Sequence, residues 1–337
     1  MVEKPTVVCY ELEAWEEDYL RERLGEAHLI TTPLELGPQT LDMARGADIV
    51  TVFIRSRVTR DLLAELPSLR GLATRSTGYD HIDLVACQER GLPVSNVPTY
   101  GENTVAEHTF GLMLALSRKI HQAYVRTMQG NFSLAGLRGF DLKGRTLGVI
   151  GTGHIGLHVI RIARGFGMQV LAFDRHEQPL IAEVLGYTYE SLDDLLARSD
   201  IVSLHLPYLP ATHHILNRER LAAMKRGSLL INTARGGLVD TDALLWALDE
   251  GILAGAGLDV LEGEELIAEE EQLLGIGAAP EHLQAVIRGH VLLRRENVVY
   301  TPHIAFDSEE ALRRILDTTV ENVNALLAGA PTNLVRA

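Results

Sequence analysis

At 337 residues, with 46% hydrophobic and 23% charged side chains, the chain has enough apolar matter for two ordinary globular domains. Its net charge of −14, from 31 basic and 45 acidic residues, argues against a nucleic-acid surface, which draws on clustered Lys and Arg. The opening Met1-Val2-Glu3-Lys4-Pro5 begins no signal peptide, and no stretch is long and apolar enough to span a bilayer, so a cytoplasmic protein is expected.

Residues 6–96 alternate strand and helix. Apolar runs at 6–10, 28–31, 49–54, 72–74 and 93–96 read as strands. Helical spacing at 15–24, 60–66 and 83–90 reads as the helices between them. This alternation predicts parallel pairing and a layered α/β domain. The two cysteines, Cys9 in a strand-like run and Cys87 in a helix-like one, make no CxxC pair and read as buried thiols.

A single long helix is expected over 102–129. Its first half, 104–116, is small and apolar, as suits burial between two domains or two subunits. Residues 130–144 are glycine-rich and read as an arm or linker.

A second alternating series follows, with six strands expected at 147–150, 169–173, 201–204, 228–232, 256–260 and 298–300. Helices are expected at 191–198, 218–224 and 241–249 between them. Residues 266–295 read as an acidic, then mixed, helical insertion. A final amphipathic helix over 308–327 is expected to return to the first domain. Domain limits follow as 1–100 plus 304–337 and 101–303.

The second series opens on Gly151-Thr152-Gly153-His154-Ile155-Gly156, between an apolar strand and a helix. Gly151 permits a tight turn, Gly153 lets a pyrophosphate approach the backbone, and Gly156 lets helix and strand pack closely. The helix start points unpaired N–H groups and a positive dipole end at the phosphates. Asp174, at the tip of the next strand, stands where an acid accepts the hydroxyls of an adenosine ribose. A dinucleotide cofactor is therefore expected.

Ligands of open parallel sheets bind beyond the C-terminal strand ends. Arg235 follows one such strand, Asp259 closes another with Glu264 five residues on, and His303 follows the last. Hydride transfer to a ketone needs this set. Histidine titrates near neutrality and can supply the proton, a carboxylate can orient it, and an arginine fork can hold a substrate carboxylate. Each residue also has a plainer reading. Arg235 could form a structural salt bridge, Glu264 could belong to a solvated acidic face, and His303 could be a satisfied core histidine. His213 and His214 lack ligand spacing, so no metal site is expected.

Several motifs in order resemble the D-2-hydroxyacid dehydrogenase family, most closely its D-lactate dehydrogenase branch. They are the glycine turn, Ser203-Leu204-His205-Leu206-Pro207 with Ala211-Thr212-His213, and Ile231-Asn232-Thr233-Ala234-Arg235-Gly236. Others are Gly257-Leu258-Asp259-Val260-Leu261-Glu262-Gly263-Glu264 and Thr301-Pro302-His303-Ile304-Ala305-Phe306. The first domain adds Arg75-Ser76-Thr77-Gly78-Tyr79-Asp80-His81-Ile82-Asp83 and Asn96-Val97-Pro98-Thr99-Tyr100.

The resemblance implies a Rossmann NAD-binding domain inserted in a flavodoxin-like substrate domain, both doubly wound parallel α/β. It implies Arg235 as carboxylate and carbonyl binder, His303 as acid/base, and Glu264 as the carboxylate favouring the protonated ring. NAD contacts fall to Gly151, Gly153, His154, Ile155, Gly156, Asp174, His205, Pro207, Thr212, Thr233, Ala234 and Asp259, with Thr104 at the start of the long helix. Asp259 meets the nicotinamide amide, and Asp174 selects NAD over NADP although Arg175 follows it. Phe53, Thr77, Gly78 and Tyr100 meet the substrate; lactate-type relatives often carry tyrosine where this chain has Phe53. The implied reaction is reversible reduction of a small 2-oxo acid, pyruvate first, in a cytoplasmic homodimer that closes its domains on the substrate. Another 2-oxo acid, 3-phosphoglycerate or phosphite as substrate, or a corepressor-like NAD sensor, are the competing readings.

Overall fold

Every pairing between strands is parallel, as short β-branched runs separated by helices require. The computed structural model describes residues 4–263 and 280–336. Two units divide the chain: Met1–Tyr100 with Ser308–Ala337, and Gly101–Asp307.

The first unit carries β1 (Thr6–Cys9), β2 (His28–Thr31), β3 (Ile49–Val52), β4 (Gly71–Thr74) and β5 (Val94–Ser95), in the order β2-β1-β3-β4-β5. That is the flavodoxin-like order. Helices α1 (Ala14–Arg23), α2 (Arg60–Ala64) and α3 (Leu84–Glu89) alternate with the strands. The C-terminal helix, Glu309–Leu327, returns to this unit, where Leu316, Val323 and Leu326 join Val7, Cys9 and Ile49 on one sheet face. The other face is covered by Leu62, Leu63, Leu66 and Cys87, among others. Both cysteines are buried and free, and burial pushes the Cys87 thiol up to about 11.

The second unit carries α4 (Glu102–Ser117), α5 (Ile120–Met128), β6 (Thr146–Ile150), α6 (His154–Gly165), β7 (Gln169–Phe173), α7 (Pro179–Leu185) and β8 (Thr188–Tyr189). It continues with α8 (Leu192–Arg198), β9 (Ile201–Leu204), α9 (Arg218–Ala222), β10 (Ser228–Asn232), α10 (Thr241–Asp249), β11 (Leu253–Leu258), α11 (Pro280–Leu293) and β12 (Val298–Tyr300). The sheet order is β12-β11-β10-β9-β6-β7-β8. It reverses at β6, which lies between β7 and β9, so β6 and β9 flank the switch point where open α/β sheets take ligands. One apolar cluster fills each sheet face, one around Leu195, Leu230 and Leu244, the other around Met113, Val149 and Ile160. Helix starts are pinned by side chains that accept an otherwise orphaned N–H: Thr59, Asp83, Ser191, Asn217, Asp240 and Ser308.

Three expectations need correction. The single helix over 102–129 is two helices, broken where Lys119 turns left-handed at φ 53°. The returning arm makes the break: Phe140 N–H donates to the Ser117 carbonyl at 2.9 Å, taking an acceptor that would otherwise serve the next turn. Gly139 allows that approach, because a Cβ there would stand 2.1 Å from the same oxygen. The second correction is that the apolar face of α4 is covered within its own unit, Ala106 and Met113 being fully buried. Third, the sheet has a seventh strand, β8, whose two residues are too short for periodicity to reveal. Of the insertion expected over 266–295, the part up to 279 lies outside the described residues, as does Glu264.

Candidate functional site

The register of the seven-stranded sheet puts the sequence motifs on one line. Phe173 pairs with Ile150, Ile150 with Leu204, Leu204 with Asn232, Asn232 with Leu258, and Leu258 with Tyr300. One residue further along each strand stand Asp174, Gly151, His205, Thr233, Asp259 and Thr301. With strands about 4.8 Å apart, the row from Gly151 to Thr301 spans about 19 Å.

The glycine turn begins at Gly151, whose φ of 103° disfavours other residues. A Cβ there would stand 2.6 Å from the His205 carbonyl oxygen, and one at Gly156 would stand 2.0 Å from the Gly151 oxygen. Around the Cβ position of Gly153, the residue that caps α6, nothing lies within 4 Å. The turn is thus filled where strand and helix meet and open where a phosphate would approach the helix start, which fits a dinucleotide pyrophosphate.

Asp174 is held by this turn. It accepts from Thr152 N–H at 2.6 Å, from the Thr152 hydroxyl at 3.1 Å and from His176 N–H at 2.9 Å. Burial alone would raise its carboxyl, but these donors outweigh burial and hold it below the usual range. His154 and Ile155 form the first turn of α6, with His154 Nδ1 at 3.6 Å from Glu102. Thr104 stands in the first turn of α4.

At the switch point His205 takes a hydrogen bond between Nε2 and Ser203 Oγ at 2.8 Å, and burial pushes its imidazole down to about 3. The loop beyond it is self-contained, since the Thr212 hydroxyl donates to the Pro207 carbonyl at 2.7 Å.

The arginine turn is braced by Asn232. Its Nδ2 donates to the Arg235 carbonyl at 2.9 Å and its Oδ1 accepts from Ala234 N–H at 3.0 Å. Arg235 Nη1 donates to the Ala234 carbonyl at 2.7 Å. The next residue must be glycine: a Cβ at Gly236 would stand 2.1 Å from the Leu261 backbone carbon. That packs the arginine turn against the segment leading to Glu264. Glu262 in that segment is anchored by His214 Nε2 at 2.7 Å and by the Thr241 hydroxyl at 2.9 Å.

The histidine turn hangs from Asp259. This carboxylate is buried, and burial pushes it up. Its Oδ1 accepts from the Thr301 hydroxyl at 2.6 Å and Ile304 N–H at 3.0 Å, and its Oδ2 from Ala305 N–H at 2.9 Å. Its backbone carbonyl accepts from His303 N–H at 2.9 Å. Three of about four lone-pair positions on the carboxylate are thus taken by the chain itself. His303 sits at φ 55°, a left-handed backbone that a non-glycine residue holds only under constraint.

Within the first unit, Phe53 and Arg75 follow paired strand ends, Val52 and Thr74. The fully buried Arg75 guanidinium donates to the Tyr10 and Glu11 carbonyls at 2.7 and 2.5 Å, and stands 5.3 Å from the Phe53 ring centre. Glu11, itself at φ 56°, accepts from the N–H groups of Phe53, Arg55 and Ser56. Neighbouring Thr77 is tied back: its hydroxyl donates to Val97 O at 2.8 Å and its carbonyl accepts from Asn96 Nδ2 at 2.9 Å. The Gly78 carbonyl accepts from the Ser76 hydroxyl at 2.6 Å, and the Tyr100 carbonyl from Arg314 Nε at 2.6 Å.

Among the described residues one His and carboxylate cluster has metal-like proximity: His213, His214 and Glu262, with ligand atoms within 4.8 Å. The two rings are stacked at 3.8 Å and 25°, so their lone pairs lie in near-parallel planes instead of converging on one point. The sequence motifs include Asn232 without revealing its bracing role, and they leave out Glu11 and His108, whose partners lie on distant segments.

The model of the D-isomer specific 2-hydroxyacid dehydrogenase NAD binding domain matches residues 110–305. A 2-hydroxyacid dehydrogenase homolog of Haemophilus influenzae is 42% identical over 87% of each chain. D-lactate dehydrogenase of Escherichia coli is 39% identical over 89% of this chain and 90% of that one. The crystal structure of D-lactate dehydrogenase from Aquifex aeolicus complexed with NAD and lactic acid superposes with a TM-score of 0.87 at 37% identity, covering 96% of both chains. With the glycine turn, Asp174 and the strand-end row in place, the chain belongs to the D-isomer specific 2-hydroxyacid dehydrogenase family, NAD-dependent oxidoreductases acting on CH–OH donors.

Proposed function

We propose that the protein interconverts a small 2-oxo acid, pyruvate first, and its D-2-hydroxy acid. The observation carrying this reading is the strand-end row, in which the glycine turn, the Arg235 turn and the Asp259-held His303 turn follow β6, β10 and β12 at the same end of one sheet. NAD, when bound, supplies or accepts the hydride at its nicotinamide.

Arg235 holds the substrate carboxylate with its planar fork and polarises the adjacent carbonyl. As the carbonyl carbon is reduced, negative charge grows on its oxygen, and His303 donates the proton to that oxygen. In the oxidative direction His303 takes the proton back. Glu264 is assigned as the carboxylate that orients His303, on the resemblance alone. Thr77 and Gly78 offer backbone N–H groups to the carboxylate, and Phe53 and Tyr100 line the side-chain pocket. Asp174, fastened by Thr152 and His176, repels a 2′-phosphate and sets the preference for NAD.

A homodimer of the second unit belongs to this reading. Its support lies on α5 and the following arm, where Tyr124, Met128, Phe132 and Leu134 are between 65% and 84% exposed. A cytoplasmic setting is retained; no described helix is long and apolar enough to cross a membrane.

The test is a panel of 2-oxo acids followed by NADH absorbance, with product chirality determined. Turnover of pyruvate to the D-acid is expected. An L-product, or no NADH oxidation with any 2-oxo acid, overturns the proposal.

A further inference from the structure

Helix α4 reaches the histidine turn through His108. Its Nε2 lies 2.9 Å from Thr301 Oγ1 and 3.5 Å from Asp259 Oδ1. Thr301 has one hydroxyl proton, and the 2.6 Å contact to the Asp259 carboxylate claims it. The His108 ring must then carry hydrogen on Nε2 and donate it to the Thr301 oxygen. A chain of hydrogen bonds results: His108 Nε2–H donates to Thr301, the Thr301 hydroxyl donates to Asp259, and the same carboxylate accepts from the N–H groups of Ile304 and Ala305. Between these anchors His303 is held at φ 55°, where a non-glycine residue stays only if its surroundings over-determine it. The adjacent Thr109 hydroxyl meets the Thr233 hydroxyl at 2.9 Å, so α4 braces the arginine turn as well.

We propose that His108 is a positioning residue for His303: by donating from Nε2 through Thr301 and Asp259, it sets where the histidine turn presents its imidazole. The role rests on the reading of His303 as acid/base. His108 itself touches neither substrate nor cofactor in this role. Glutamine offers an amide N–H donor at comparable reach, and alanine offers none.

The experiment compares wild type, His108→Ala and His108→Gln by steady-state kinetics and by the backbone amide NMR signals of Ile304 and Ala305. For His108→Ala, kcat should fall about tenfold with the KM values for NADH and 2-oxo acid within about twofold, as when positioning of a reacting group is lost. The two amide signals should shift. His108→Gln should recover kcat to within about threefold of wild type and return the amide signals towards their positions. An unchanged kcat in His108→Ala, or equal losses in both variants, overturns the proposal. If wild type reduces no 2-oxo acid, the functional reading fails separately. The amide signals then decide the chain of hydrogen bonds: shifted in alanine and restored in glutamine supports it, unmoved in alanine overturns it.

Discussion

The strand ends of the two sheets use buried charge in opposite ways. In the first unit Arg75 and Glu11 are both buried and both spent on backbone: Arg75 on two carbonyls, Glu11 on three N–H groups. In the second unit the buried acid, Asp259, is likewise spent on backbone, but Arg235 and His303 sit on turns that glycine, asparagine and that acid hold in shape. Arg75, Glu11 and Asp259 thus shape the backbone around them, whereas the turns of Arg235 and His303 are shaped by other residues.

That contrast can be broken at several points. The largest effect is expected at Arg235 and His303. His303→Ala or Arg235→Ala should lower kcat/KM by about 10³-fold or more, with NADH binding and thermal stability close to wild type. NADH fluorescence titration beside steady-state kinetics reads both. Near-normal turnover in either variant removes that residue from its role. Next comes the glycine turn. Gly156→Ala must displace the Gly151 backbone, 2.0 Å from the new Cβ, and NADH affinity should weaken about 100-fold. Affinity within threefold of wild type would show that the turn can relax.

At the spent charges the loss should appear as stability. Arg75→Met leaves the Tyr10 and Glu11 carbonyls unpaired beside the buried Glu11 carboxylate, costing about 3 kcal/mol in chemical denaturation. A variant as stable as wild type would mean that water or side-chain rearrangement satisfies those groups.

The smallest effect is a pH dependence at His205. Its imidazole is held down to about 3 in the folded protein against an ordinary 6.5. Between those values the unfolded chain takes up a proton that the folded chain refuses, so this group lowers stability as pH falls from 6.5 towards 3. His205→Asn should flatten the stability–pH curve by on the order of 1–2 kcal/mol between pH 6.5 and 5. Parallel curves for variant and wild type would contradict it.

Much of this architecture is legible in the chain. Parallel α/β layering follows from apolar runs alternating with helical spacing, because only that alternation buries both faces of each sheet. Gly151, Gly153, Gly156 and Asp174 are readable because their spacing answers to the shape of a dinucleotide, and Arg235, Asp259 and His303 because each closes or follows a strand. The helix break at Lys119 was not legible. It depends on Phe140 and Gly139 arriving at Ser117, more than 20 residues away along the chain. The two-residue strand β8 was hidden for want of any period to read.

The sequence by itself determined the layered folds and the NAD turn, since spacing and residue chemistry suffice for these. Only the tertiary structure decided the register that aligns Gly151, His205, Thr233, Asp259 and Thr301. It also decided that Asp259 spends most of its acceptor capacity on the His303 turn, and that His108 stands behind it. Those facts join strands and a helix up to some 190 residues apart, and hydrogen bonds between distant segments leave no local pattern.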